Sequence, residues 1–98
     1  MRRLVWRVVA VEDLEGFHDF IAADNRERAA SFVTVIRERA AVLREHPELG
    51  PAWEELGEGI RLLPGLRRAV VADQVAGDAI VVVRVFYGGR DYRALLGG

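Results

Sequence analysis

From residue 60 onward the chain carries Arg61, Arg67, Arg68, Arg84, Arg90 and Arg93 together with Tyr87 and Tyr92, and these are the side chains whose types could do chemistry. A guanidinium is permanently charged, planar and fork-shaped, matched to phosphate oxygens. Such a set could hold an RNA backbone and stabilise the phosphorane of strand cleavage, with a tyrosine for proton transfer or base stacking. Ion pairing and solvation of strand edges account for the same arginines, and residue types alone favour that plainer reading. Strict alternation along the last strand places Arg84 with Ile80, Val82 and Phe86, and Tyr87 opposite with Val83 and Val85. Arg84 and Tyr87 therefore converge only if the strand twists or bulges near Tyr87 and Gly88.

Other catalytic signatures are missing. The sequence has no GxxxxGK[ST], GxGxxG or HExxH, and Ser31, its one serine, falls in mid-helix with no neighbouring base. His18 lies on the apolar stripe of a helix and is read as a packed, hydrogen-bonded residue. His46 lies in a last helical turn, where partial positive charge suits the dipole. Glu54, Glu55 and Glu58 read as a solvated loop, and Asp78 as a turn former beside Gly77. With no cysteine there is neither a disulfide nor a thiolate metal site. No cofactor and no metal are expected.

The elements that must position these side chains follow from periodicity. Leu4 to Val9 alternates as a strand, apolar on both faces, and belongs inside the sheet or at a covered edge. From about Val11 to Ala23 the period becomes helical, with Leu14, Phe17, His18 and Ile21 on one stripe and Glu12, Asp13 and Glu15 in the first turn. Asp24 with Glu27 reads as a capping box for a second helix reaching about Glu45, whose apolar face is Ala29, Phe32, Val33, Ile36, Ala40 and Leu43. Pro47 and Gly50-Pro51 stop it. Residues 51–59 form a loop anchored by Trp53. Strands follow at Ile60 to Leu63, Arg67 to about Val75 and Ala79 to Tyr87, with turns at Pro64-Gly65 and at Ala76-Gly77-Asp78. AIVVVRVFY, apolar on both faces and rich in β-branched residues, reads as the central strand. The expected fold is α+β, in the order β-α-α-β-β-β, a small twisted antiparallel sheet with a helical hairpin on one face. The other sheet face is expected to stay open and to carry arginines.

Composition bounds the function. The 98 residues, 51% hydrophobic, suit one small domain over 1–98. No stretch approaches the roughly 20 apolar residues that span a bilayer, and the N-terminus lacks a signal-peptide core, so a cytoplasmic protein with no membrane partner is expected. All fourteen basic residues are arginine, and the net charge is −1. Residues 1–59 hold eight arginines against twelve acids, and residues 60–98 hold six against three. An anionic partner should prefer the second half.

The ordered pieces resemble the RelE/ParE superfamily of toxins from bacterial toxin-antitoxin modules. They are Val5-Trp6, Asp13-Leu14, Phe20-Ile21-Ala22 with Asn25, Ala29-Ala30 with Phe32, HPELG at 46–50, Gly59-Ile60-Arg61, Gly77-Asp78 and RVFYGGRD at 84–91. That resemblance implies the family fold and a cognate antitoxin whose C-terminal segment wraps the toxin. It also implies one of two targets. RelE-like members cleave messenger RNA in the ribosome with basic residues and a late tyrosine or histidine; ParE-like members inhibit DNA gyrase and keep no nuclease site. The long second helix, the HPELG stop and the near-neutral charge are more ParE-like, because a nucleic-acid-binding nuclease gains affinity from a basic surface. The expectation is thus a ParE-like growth inhibitor acting on gyrase. One alternative is a ribosome-dependent endonuclease in which Arg61, Arg67 or Arg68, and Arg84 hold phosphates while Tyr87 or Tyr92 moves a proton, with Arg90 nearby. The other is a non-toxic member that only binds its antitoxin. Ala72 stands where many relatives have an aromatic residue, Tyr87 where many have histidine, and both Arg67 and Arg68 fit the family's arginine.

Overall fold

Trp6, Val8 and Val9 mark where one regular structure gives way to another in the computed structural model, which describes residues 2–64, 66 and 68–87. Strand β1 spans Arg3–Trp6 and helix α1 spans Val8–Ala22, so the helix starts earlier than alternation suggests. β1 has a neighbour over only four residues, from Arg3 beside Ala79 to Trp6 beside Val82. After Arg7 donates its N–H to the Val82 carbonyl, the chain turns and the Ala10 and Val11 amides close on the Arg7 carbonyl. Val8 and Val9 are thereby drawn into a first helical turn despite their β-branching. Glu12, Asp13 and Glu15 consequently lie beyond that first turn.

Helix α2 spans Arg26–Ala41 and continues as a 3-10 turn over Val42–Arg44. Its N-cap is Asn25, whose side-chain oxygen accepts the Arg28 N–H at 3.0 Å, not Asp24 as the capping-box spacing suggests. The hairpin closes too tightly for Asp24 to cap, because the Asp24 and Asn25 amides both return to the Ile21 carbonyl. Asparagine does the same work one residue later.

A second 3-10 turn covers Glu54–Leu56, and strands β2 Ile60–Leu63, β3 Ala69–Ala76 and β4 Ala79–Tyr87 complete the order. The sheet runs β1-β4-β3-β2, with β4 inside it as the sequence indicates. The β2–β3–β4 meander is antiparallel, but β1 pairs with β4 in parallel, which makes the sheet mixed instead of antiparallel throughout. Short turns force neighbouring strands to reverse, whereas β1 is followed by the helical hairpin and is free of that constraint. Gly77, with φ 60°, supplies the left-handed residue of the turn joining β3 to β4. β1 is an edge strand.

On the helix side, Leu14, Ile36 and Leu43 pack on Leu63, Val71, Ile80, Val82 and Val85, all nearly solvent-free. Each such aliphatic side chain contributes roughly 1.5–3 kcal/mol by leaving water. The opposite face is not bare. Leu56 and the half-buried Trp53 fold over Ile60, Leu62, Ala72, Val83 and Phe86 as a second apolar cluster. That segment is stitched to β2 by Trp53 N–H to the Ile60 carbonyl and Leu62 N–H to the Pro51 carbonyl. The expectation of an open, arginine-bearing face is corrected accordingly. β2 alternation sends Arg61 to the helix side with Leu63, and the arginines of β2 and β4 are engaged elsewhere.

A candidate interaction site around Tyr87

Register decides where the chemistry-bearing residues go. Pairing between β3 and β4 slips between Ala72 and Asp73, from Ala72 beside Arg84 to Asp73 beside Val82, and leaves Val83 as an extra residue. This bulge breaks the alternation. Val82 and Val85, three apart, share the helix-side cluster, while Val83 and Phe86 share the other. The bulge thus lies upstream of Arg84, and Gly88 lies outside the described residues.

Arg84 is held by Asp13 of α1. Its Nε and Nη2 donate to the two carboxylate oxygens at 2.7 and 2.9 Å, and the Val85 N–H donates to the same carboxylate at 3.0 Å. β1 ends opposite Val82, so the outer edge of β4 beyond it lacks a strand partner, and Asp13 supplies the acceptor that a strand would have given. The side chains of the pair are 23% and 13% exposed, shielded enough for the bidentate bond to hold the Arg84 guanidinium even more firmly protonated than usual. Its guanidinium carbon sits 5.6 Å from the Phe86 ring centre.

Arg61 is also engaged, donating from Nη1 to the Gly50 carbonyl at 2.8 Å. A Cβ at Gly50 would come within 1.9 Å of the Leu62 carbonyl oxygen, so only glycine lets the HPELG segment lie this close to β2. Across the strands from Arg61 stands Asp73, fully buried, with neither carboxylate oxygen hydrogen-bonded. Burial pushes its carboxyl up to about 6, against the lowering influence of the Arg61 charge.

Tyr87 ends β4 in an aromatic nest, its ring centre 5.3 Å from those of Phe17 and Phe32 and 6.4 Å from that of Phe20. It forms a ridge between two depressions. The larger, about 850 Å³, runs beside α2 and is lined by Arg28, Ser31, Phe32, Val35 and Arg68 among others. The smaller, about 440 Å³, lies beside α1 and is lined by Glu12, Asp13, Gly16, Phe17 and Phe20. One rim is basic and the other acidic.

Of the residues singled out in the sequence, Arg68 and Tyr87 line the same groove, while Arg61 and Arg84 are bound to other partners. Arg67, Arg90, Tyr92 and Arg93 lie outside the described residues. Glu54, Glu55 and Glu58 are exposed, and His18 is half-buried with its Nδ1 3.1 Å from Asp19. Sequence reasoning missed Asp13 and Asp73 as site-shaping residues. A lone arginine inside AIVVVRVFY and a lone acid inside AVVADQVA were the available signals, since each needs a partner once buried. Among the described residues no group of three or more acids or histidines is placed to hold a metal ion, and no helix is long and apolar enough to cross a membrane.

Residues 4–92 match the family model described as "ParE toxin of type II toxin-antitoxin system, parDE". Among solved structures, a chain of the "Chromosomal ParDE TA system from P. aeruginosa" superposes with a TM-score of 0.76 at 24% identity, covering 90% of this chain and 97% of that one. At that identity the superposition speaks for the fold. No match is found among curated proteins.

Proposed function

Because the chain belongs to the ParE toxin family of type II toxin-antitoxin systems, we propose that it arrests growth in the cytoplasm by inhibiting DNA gyrase without catalytic residues of its own, and that a cognate antitoxin neutralises it. The observation that carries this reading is the engagement of Arg84. A nuclease would need that guanidinium on phosphate, yet both of its bonds to Asp13 would have to break first. Arg61 is similarly committed to a backbone carbonyl that holds the loop on β2. Near-neutral net charge argues in the same direction, since ribosome-bound RNA rewards a basic surface.

The antitoxin is assigned the larger groove. Its floor is apolar, through Phe32, Val35, Ile36 and Tyr87, and its charged rim residues are Arg28 and Arg68. An acidic amphipathic segment complements such a surface, laying apolar side chains along α2 with carboxylates at the arginines.

The test is direct. Purified protein added to gyrase and relaxed plasmid should abolish supercoiling at concentrations matching those that arrest cells, with total messenger RNA intact. Arrest with undisturbed supercoiling and cleaved transcripts would replace this reading with the endonuclease.

A further inference from the structure

The outer face of α1 combines three properties. It is acidic, with Glu12, Glu15 and Asp19 exposed, no arginine or lysine in the helix, and His18, beside Asp19, as its one imidazole. It is apolar, bearing Val8 at 75% and Phe20 at 71% exposure, the two most exposed large hydrophobic residues among those described. It also contains Gly16 in mid-helix, where a Cβ would meet nothing within 4 Å. Glycine is the poorest helix former after proline, and packing among the described residues gives no reason to keep it here.

At 100° per residue these groups form two adjoining stripes. Val8, Glu12, Glu15 and Asp19 run along one, and Val9, Glu12, Gly16 and Phe20 along the next. Gly16 opens the notch between Glu12, Phe17, Phe20 and Tyr87. A notch floored by aromatic rings and edged by carboxylates is suited to a guanidinium or ammonium, which gains from ring faces and from negative charge together. The absence of a side chain at Gly16 lets a partner backbone approach closely.

We infer that the outer face of α1 is the surface on which the toxin holds its target, through a basic amphipathic segment of gyrase whose arginine or lysine enters the Gly16 notch. This rests on the toxin reading above and assigns it a surface separate from the basic groove beside α2. The charges oppose: the acidic stripe of α1 repels the same acidic segment that the arginines of the other groove attract.

Three variants test it in the full chain: Glu12→Gln/Glu15→Gln/Asp19→Asn, Phe20→Ala and Gly16→Gln. A control, Glu38→Gln/Glu45→Gln/Glu48→Gln, removes the same charge away from α1. Each is followed by growth arrest on induction, by surface plasmon resonance against gyrase holoenzyme at two salt concentrations, and by thermal unfolding to confirm the fold. The stripe variants should weaken gyrase binding about tenfold or more and relieve arrest, with the triple variant also losing salt dependence, while the control matches wild type. Folded stripe variants that bind and arrest like wild type overturn the inference. If wild type arrests cells but does not bind gyrase, the gyrase reading fails and this inference falls with it, whereas gyrase binding that the stripe variants leave intact overturns the inference alone. A wild-type chain that arrests nothing overturns both.

Discussion

Two arginine-aspartate neighbours in this sheet end in opposite states. Arg84 and Asp13 meet in two hydrogen bonds, with the Val85 N–H on the same carboxylate, so both carboxylate oxygens are engaged. Arg61 and Asp73 are cross-strand partners, yet Arg61 turns to the Gly50 carbonyl and leaves a buried carboxyl without a hydrogen bond. The difference shows that proximity of opposite charges is not what makes an ion pair. Asp13 sits on a helix beside an unpaired strand edge, where charge and backbone donors both face it. Asp73 competes for its arginine with a loop that must be fastened to β2.

The strongest way to break this contrast is Asp13→Ala. It leaves a partly buried guanidinium and a strand-edge amide unpaired, and should cost about 3–4 kcal/mol in urea unfolding. Arg84→Met added to it should restore part of the loss, because the stranded charge is then gone.

Asp73 should reveal itself through pH. Its folded carboxyl titrates at about 6, above the ordinary 3.8, so folding favours the protonated form. Its contribution is complete below pH 4 and is lost as pH rises through 6, a change of roughly 3 kcal/mol by linkage. Asp73→Asn should flatten that part of a stability-pH profile; an unaltered slope would assign it to other groups.

Gly50→Ala sharpens the comparison, since the added Cβ must push the loop off the Leu62 carbonyl. A loss of about 2 kcal/mol is expected. Freed from Gly50, Arg61 should swing to Asp73 and lower its titration point, visible by NMR of the carboxyl. The smallest effect is that of Arg61→Met. Removing the charge that now depresses Asp73 should move its titration upward from about 6, measurable in the same titration.

Much of this could be read from the residues. The order of elements, the central position of AIVVVRVFY and the turn at Gly77 followed from apolar periodicity and turn chemistry. HPELG was legible as a stop, though the need for its glycine came from the approach to Leu62. The end of β1 was misplaced because Val8 and Val9 continue a strand pattern where β4 offers no further pairing. The Arg84 environment stayed hidden because alternation assumes an unbroken ladder, and Val83 breaks it.

The chain's periodicities by themselves determined two helices with one buried stripe each and a β-rich second half, since period and propensity are local properties of the backbone. Tertiary structure alone decided that β1 runs parallel to β4, that Asp13 meets Arg84 across 71 residues of sequence, and that Asp73 is left alone. Those outcomes depend on which strand edges remain unpaired after folding. An unpaired amide and a buried charge take whatever partner the assembled sheet brings within hydrogen-bond reach.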